Sequence, residues 1–378
     1  MILFAACAPA PVVLPEAQPV GHDTGDPLEI PSGWTLVVDV GTEVEVGHPV
    51  ASATAQGDVV VAWLAVQGSE RSLWFAQERK APFRVDDGNP PPIVASARDP
   101  GLSVVGSDVA LVTGSSDGVT TTVDLWRWTV GDMPVETVLA SSTEDDPVDQ
   151  PEIIHDAAGR LLVAWKQEIG PTSTVWVGSD LTGFLPQAVT AFPGAACPCC
   201  PHFLLPLAGG DVALAVRTDV DNTREVHVAR AAAGTTQFDL VAQATHSGWW
   251  IPACPFEGPE LAELDETLLV TWSDGSSGDL VVWTGRSENG GASWSDDAPV
   301  AADAPWDQQS PRMLAVGSDL WVVTHQPDAV LWQSSDVGQT WTELQLPLPL
   351  ARVALVDVQG KLKIVGTESG RRVWIGNL

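Results

Sequence analysis

Four of the chain's five cysteines stand in two short segments, Cys197-Pro198-Cys199-Cys200-Pro201-His202 and Ile251-Pro252-Ala253-Cys254-Pro255-Phe256-Glu257. Sulfur at this density does one of two things. As thiolates, Cys197, Cys199, Cys200 and Cys254, with His202 or His48 completing the shell, suit a soft ion such as copper(I), or zinc(II). As oxidised pairs they form two disulfides, or one disulfide and a free pair, that staple neighbouring loops, as an exported compartment favours. Two bridges meet some geometric resistance. A bridge needs Cα atoms about 4.4–6.8 Å apart, and adjacent Cys199 and Cys200 cannot easily both reach Cys254. The spacing is not the Cys-x-x-Cys-His of covalent haem attachment, which disfavours haem.

The elements that position these sulfurs follow from a phrase that returns seven times: a turn, then four or five mostly apolar residues of strand type. Its first apolar residues are Val59, Val109, Leu161, Val212, Leu268, Leu320 and Leu362, with spacings of 50, 52, 51, 56, 52 and 42. A period near fifty, built of short strands and turns, predicts an all-β propeller of seven blades (six fitting less well), each of four antiparallel strands. The phrase is each blade's buried second strand. Residues 361–378 supply only about two strands, so the segment Trp34–Val40 is expected to complete the last blade and latch the ring.

Each first strand, lining the channel, begins about eleven residues before the aligned position. That offset falls on His48, Arg98, Gln150, Pro201, Glu257, Gln309 and Ala351. Five of the seven are polar, which fits a wet channel mouth as readily as a binding site. Both cysteine segments enter blades here, four and five in turn, so Cys254 is expected beside the triple. Glu257 and Arg217 would support the metal ligands from outside the shell, with Gln150, Gln309 and Arg98 available to a ligand.

Two further segments are the sharpest local motifs. Ser287-Glu288-Asn289-Gly290-Gly291-Ala292-Ser293-Trp294 and Ser334-Ser335-Asp336-Val337-Gly338-Gln339-Thr340-Trp341 fit Ser-x-Asp/Asn-x-Gly-x-Ser/Thr-Trp. The Asx side chain bonds nearby amides, Gly takes a conformation closed to other residues, and Trp plugs the blade. This is the Asp-box, and the chain resembles the sialidase superfamily of BNR-repeat propellers over essentially its whole length. The segment from Cys197 to Pro259, with Gly248-Trp249-Trp250-Ile251-Pro252-Ala253-Cys254-Pro255, looks like an exported bacterial subgroup carrying Cys-x-Cys-Cys-Pro. Asp-boxes in that family lie on outer turns, so Ser287, Asn289, Gly291, Trp294, Ser334, Asp336, Gly338 and Trp341 speak for fold alone.

The resemblance implies a tyrosine nucleophile paired with glutamate, an aspartate acid/base and three arginines. The chain has no tyrosine, so the nucleophile transfers to no position, and a conventional sialidase is not expected. Arg98, Arg217 and Arg312 are available, but no motif fixes them as a triad. A hydrolase working through paired carboxylates, such as Glu257 and Asp99, stays open as an alternative with structural cysteines. No Gly-x-Ser-x-Gly elbow, phosphate loop or His-Glu-x-x-His motif is present. Glu144-Asp145-Asp146-Pro147-Val148-Asp149 reads as a solvated loop, with calcium an alternative.

Composition bounds the partners. Forty-nine acidic against eighteen basic residues give −31, which argues against a nucleic-acid or anionic-membrane surface. Residues 1–7, ending at Cys7, resemble a truncated lipoprotein signal whose cysteine becomes acylated, though a full signal peptide needs a longer apolar core. Residues 8–29, rich in Pro, Ala, Asp and Gly, read as a flexible tether, and 30–378 as one propeller domain. The expectation is an exported lipoprotein, at a bacterial outer membrane, cell surface or periplasm, touching membrane only through its anchor and monomeric. It binds a metal ion, small ligand or glycan at the channel mouth, a surface scaffold or adhesin being a third class.

Overall fold

The computed structural model describes residues 29–86, 92, 100–170, 172–253, 255–256, 258–301, 309–326 and 328–378. The predicted positions Cys7, Arg98, Asp99, Cys254 and Glu257 lie outside the described residues, and of Gln309 the backbone alone is described.

Seven antiparallel sheets follow one another along the chain. The aligned phrases are their second strands: Val59–Gln67, Asp108–Ser116, Leu161–Ile169, Val212–Asp219, Thr267–Asp274, Asp319–Gln326 and Leu362–Glu368. Each of these strands carries a run of mostly apolar residues, and most of its positions are buried because both faces are covered by neighbouring blades. The seven first strands (Val50–Ala53, Gly101–Val105, Val148–His155, Phe203–Pro206, Glu260–Leu264, Gln309–Val316 and Leu350–Asp357) contact one another in an unbroken ring around the axis.

The core is divided accordingly. Each of seven apolar clusters fills the space between two adjacent blades, the last joining blade seven to blade one. Trp63, Trp165, Trp272 and Trp374 are fully buried within them. Truncating any one would cost about 3–5 kcal/mol.

Closure follows the expected latch. Trp34–Asp39 pairs antiparallel with Arg372–Asn377 as the outermost strand of blade seven. Asp39 accepts from Arg372 Nε at 2.8 Å, and Trp34 lies over Gly376, where a Cβ would meet the indole at 2.5 Å. Across the seam, Lys363 Nζ pairs with Glu78 at 2.8 Å. Among the described residues, no helix is long and apolar enough to cross a membrane.

Both Asp-boxes form as their sequence requires. Ser334 Oγ donates to Asp336 Oδ1 and accepts from Gly338 N, each at 2.8 Å. Asp336 Oδ1 also accepts from Thr340 N at 2.8 Å. Gly338 sits at φ +78° and Gly291 at +92°. Trp341 and Trp294 pack against the adjoining cores. These turns join third to fourth strands, on the face opposite the cysteine segment.

Candidate metal centre

The cysteine segment enters blade four on a short strand, Ala195–Ala196, which pairs with Thr218 and Asp219 at the end of that blade's second strand. Cys197 N continues the ladder, donating to Arg217 O at 2.8 Å. The chain then turns, Cys200 N returning to Cys197 O at 3.4 Å. Proline at 198 and 201 limits the alternatives open to this turn. The result folds three sulfurs inward to within 4.8 Å of one another, close enough to hold one metal ion.

The sulfurs are not equivalent. Cys197 and Cys200 are free thiols without solvent exposure, sharing a hydrogen bond at 3.0 Å between their Sγ atoms. Cys199 is disulfide-bonded and partly exposed, its Sγ 3.8 Å from that of Cys197. Its partner lies outside the described residues. Of the readings open in sequence, this is one disulfide with a free pair. While Cys199 is oxidised, its sulfur carries no negative charge and is a weak ligand, although the three sulfurs stand close enough to hold one ion.

Two strands of blade three hold the turn from beneath. Lys166, on Leu161–Ile169 and wholly buried, donates through Nζ to Cys197 O at 2.7 Å and also to Cys200 O. Gln150 sits in a β-bulge of the first strand at φ +50°. The bulge aims its amide at the loop, where Nε2 donates to Pro198 O at 2.6 Å. Asp149, beside it, is raised to about 7 by burial, with Lys166 pulling down and Glu168 pushing up.

From the other side comes Arg217, also wholly buried. Its guanidinium donates to Arg224 O at 3.3 Å and to Ser273 O of blade five at 2.7 Å. It lies 5.3 Å from the centre of the Trp249 ring, a cation–π distance. Lys166, Arg217 and Arg224 therefore surround the turn with positive charge. The hydrogen bond shared with Cys200 chiefly, then these cations against the effect of burial, lower the Cys197 thiol to about 6. Burial, then the hydrogen bond and charge of Cys197, push Cys200 well up. One proton shared between two sulfurs describes the pair at neutral pH.

The structure thus brings Gln150 and Arg217 to the cysteine turn, with His202 buried at its exit. His48 belongs to a separate group. Burial and the charges of Arg312, Arg352 and His325 push its pKa well down, and its Nδ1 is buried with no hydrogen-bond partner. Gln309 goes with that group, its backbone paired to His325. Arg312 is held by Glu260 at 3.1 Å and Arg352 by Val46 O at 2.7 Å. Alongside lies a cavity of about 630 Å³ lined by Glu43, Glu45, Arg352 and Arg371 among others.

Sequence reasoning missed Lys166. The signal was there: the sixth residue of the second strand, counted from the aligned apolar position, reads Leu64, Gly114, Lys166, Arg217, Ser273, His325 and Thr367 across the blades. Lysine, arginine and histidine inside otherwise apolar strands, at one structurally equivalent level, mark buried cations aimed at the channel-mouth loops.

No protein-family model matches the chain, and no curated protein matches it in sequence. Solved structures do match in fold. A Hadza microbial sialidase, Hz136, superposes with a TM-score of 0.53 at 13% identity, over 84% of this chain and 73% of that one. The intramolecular trans-sialidase of Ruminococcus gnavus gives 0.50 at 12%, over 91% and 96%. A puromycin-hydrolysing peptidase of Mycobacterium tuberculosis gives 0.54 at 14%, over 89% of this chain and 52% of that one. At such identities the likeness is one of fold: a sialidase-like propeller, which other chemistries also use.

Proposed function

We propose that this chain is an exported binding protein that holds copper(I) between Cys197 and Cys200. The observation that carries this reading is a pair of free, fully buried thiols on one turn, 3.0 Å apart, with a buried lysine fastened to the same turn. Soft thiolates select soft ions. A monovalent ion between two thiolates leaves one net negative charge, and Lys166 supplies one positive charge beneath it. Zinc asks for four ligands, and with Cys199 in its disulfide the thiolate set falls short. Copper is therefore preferred over zinc.

The test is elemental analysis of the anaerobically loaded, desalted protein. About one equivalent of copper is expected in wild type and less than a tenth in Cys197→Ser and Cys200→Ser. Copper retained by both variants, or none retained by wild type, would sink the reading.

A second reading rests on a different observation: the guanidiniums of Arg312 and Arg352 stand beside a His48 that burial and these two charges keep neutral, in a chain of net charge −31. That suits an anionic ligand, such as a carboxylate-bearing glycan, at the channel mouth. Saturable binding to a glycan array that is lost in Arg352→Ala would support it; an unchanged array profile would remove it. Anchoring through an acylated Cys7 is the proposed route to the membrane, and its check is metabolic labelling with palmitate, which Cys7→Ser should abolish.

A further inference from the structure

The partly exposed, disulfide-bonded Cys199 and the buried dithiol sit in contact, and nothing in a copper site requires that. Cys197 Sγ is in contact with both other sulfurs, 3.0 Å from Cys200 and 3.8 Å from Cys199. Thiol–disulfide exchange needs a thiolate within reach of a disulfide sulfur, and a second thiol placed to displace the first product. The Cys-x-x-Cys spacing of Cys197 and Cys200 is the one that closes readily into a local disulfide. No solvent reaches either thiol, so external thiols meet Cys199 first.

We propose that the three sulfurs form an internal exchange centre, which moves the disulfide from Cys199 to the Cys197–Cys200 pair and back. In the first step Cys197, as thiolate, attacks Cys199 Sγ. The Cys197–Cys199 bond forms, the bond from Cys199 to its present partner breaks, and the partner leaves as a thiolate. In the second step Cys200, as thiolate, attacks Cys197 Sγ. The Cys197–Cys200 bond forms and Cys199 leaves as a thiolate. The one proton that the Cys197–Cys200 pair holds at neutral pH passes to a leaving sulfur, and the other leaving thiolate takes its proton from water. One disulfide and two thiols stand on each side, so no outside oxidant or reductant enters.

The consequence is a change in which thiols the surface presents. In one pairing both thiols are buried; in the other, Cys199 becomes available to a surface ligand or to a mixed disulfide. This inference goes beyond the copper reading and stands without it, since it uses the sulfurs alone.

The experiment uses the full chain, metal-free in chelator, at neutral pH. N-ethylmaleimide is added to the native protein, samples are quenched in acid at intervals, and peptides are mapped by mass spectrometry without reduction. Wild type is expected to accumulate alkylated Cys199 together with a Cys197–Cys200 disulfide, at a rate independent of reagent concentration. Cys200→Ser should stop after the first step, with a Cys197–Cys199 disulfide and Cys199 unalkylated. Cys197→Ser should slow alkylation of Cys199 at least tenfold. Wild type in which Cys197 and Cys200 are alkylated while Cys199 keeps its original disulfide would overturn the proposal, and that arm needs no variant to fold. Copper retention is read separately, so loss of one account leaves the other standing.

Discussion

The Asp-box turns and the cysteine turn are both tight loops with buried side chains, on opposite faces of one propeller, and they are built by opposite means. In the box at 334–341, the hydrogen bonds that define the turn join residues at most four apart. The cysteine turn takes its support from Gln150 and Lys166, 48 and 31 residues away from the carbonyls they reach. A turn that satisfies its own backbone can be repeated around a ring at little cost to its neighbours. One that depends on buried cations from adjoining strands is specific to a single place in the ring, and that is where chemistry is expected.

The largest effect should come from severing that dependence. Lys166→Met removes the side-chain donor to the buried carbonyls of Cys197 and Cys200, leaving Cys197 O with only the long bond from Cys200 N, at about 1–3 kcal/mol for an unsatisfied buried group. A loss of about 3 kcal/mol in urea denaturation with an unchanged slope is expected, together with at least tenfold weaker copper retention. Stability within 0.5 kcal/mol (on the order of surface substitutions) would show that the turn holds itself, as the boxes do.

The matching change in a box should be smaller and purely structural. Gly338→Ala places a Cβ at φ +78°, 3.0 Å from Leu269 Cδ2. It should cost about 1–2 kcal/mol and leave thiol reactivity and copper binding unchanged. A change in copper stoichiometry would mean that the two faces are coupled.

The smallest effect is a pH dependence. Slight burial would raise Asp336, but hydrogen bonds from Thr340, Ser334 and Gln339 win and hold it at about 2, below the ordinary 3.8. A depressed carboxylate stabilises the fold above its unfolded pKa and loses that contribution as pH falls from about 4 toward 2. After solvent screening this amounts to less than about 1 kcal/mol. Asp336→Asn should flatten the stability curve in that window and nowhere else; an unaltered curve would show that the box carboxylate is not what titrates.

The same contrast explains what could be read from the sequence. Seven blades, the second strands, the N-terminal latch and both boxes were legible because each is written in residues close together or in a repeat. The cysteine turn was legible as a cluster, with Gln150 and Arg217 beside it, because the repeat aligns the loops that carry them. Its oxidation state was not, since Cys197-x-Cys199-Cys200 spacing serves metal and disulfide equally. Lys166 was hidden by looking only at loops and first strands, when the cation comes from inside a core strand. His48, offered as the alternative to His202 at the sulfurs, has Arg312, Arg352 and His325 around it, because equal offset in the repeat gives equal height in the channel, while proximity depends on which blades are neighbours.

The most direct test of the central claim is X-ray absorption at the copper edge on the loaded full-length protein, alongside Cys199→Ser. The account predicts a copper(I) ion with two sulfur neighbours in wild type and the same shell in the variant, because Cys197 and Cys200 alone hold the ion. A shell of three or four sulfurs in wild type, or loss of the signal when Cys199 is replaced, would contradict it.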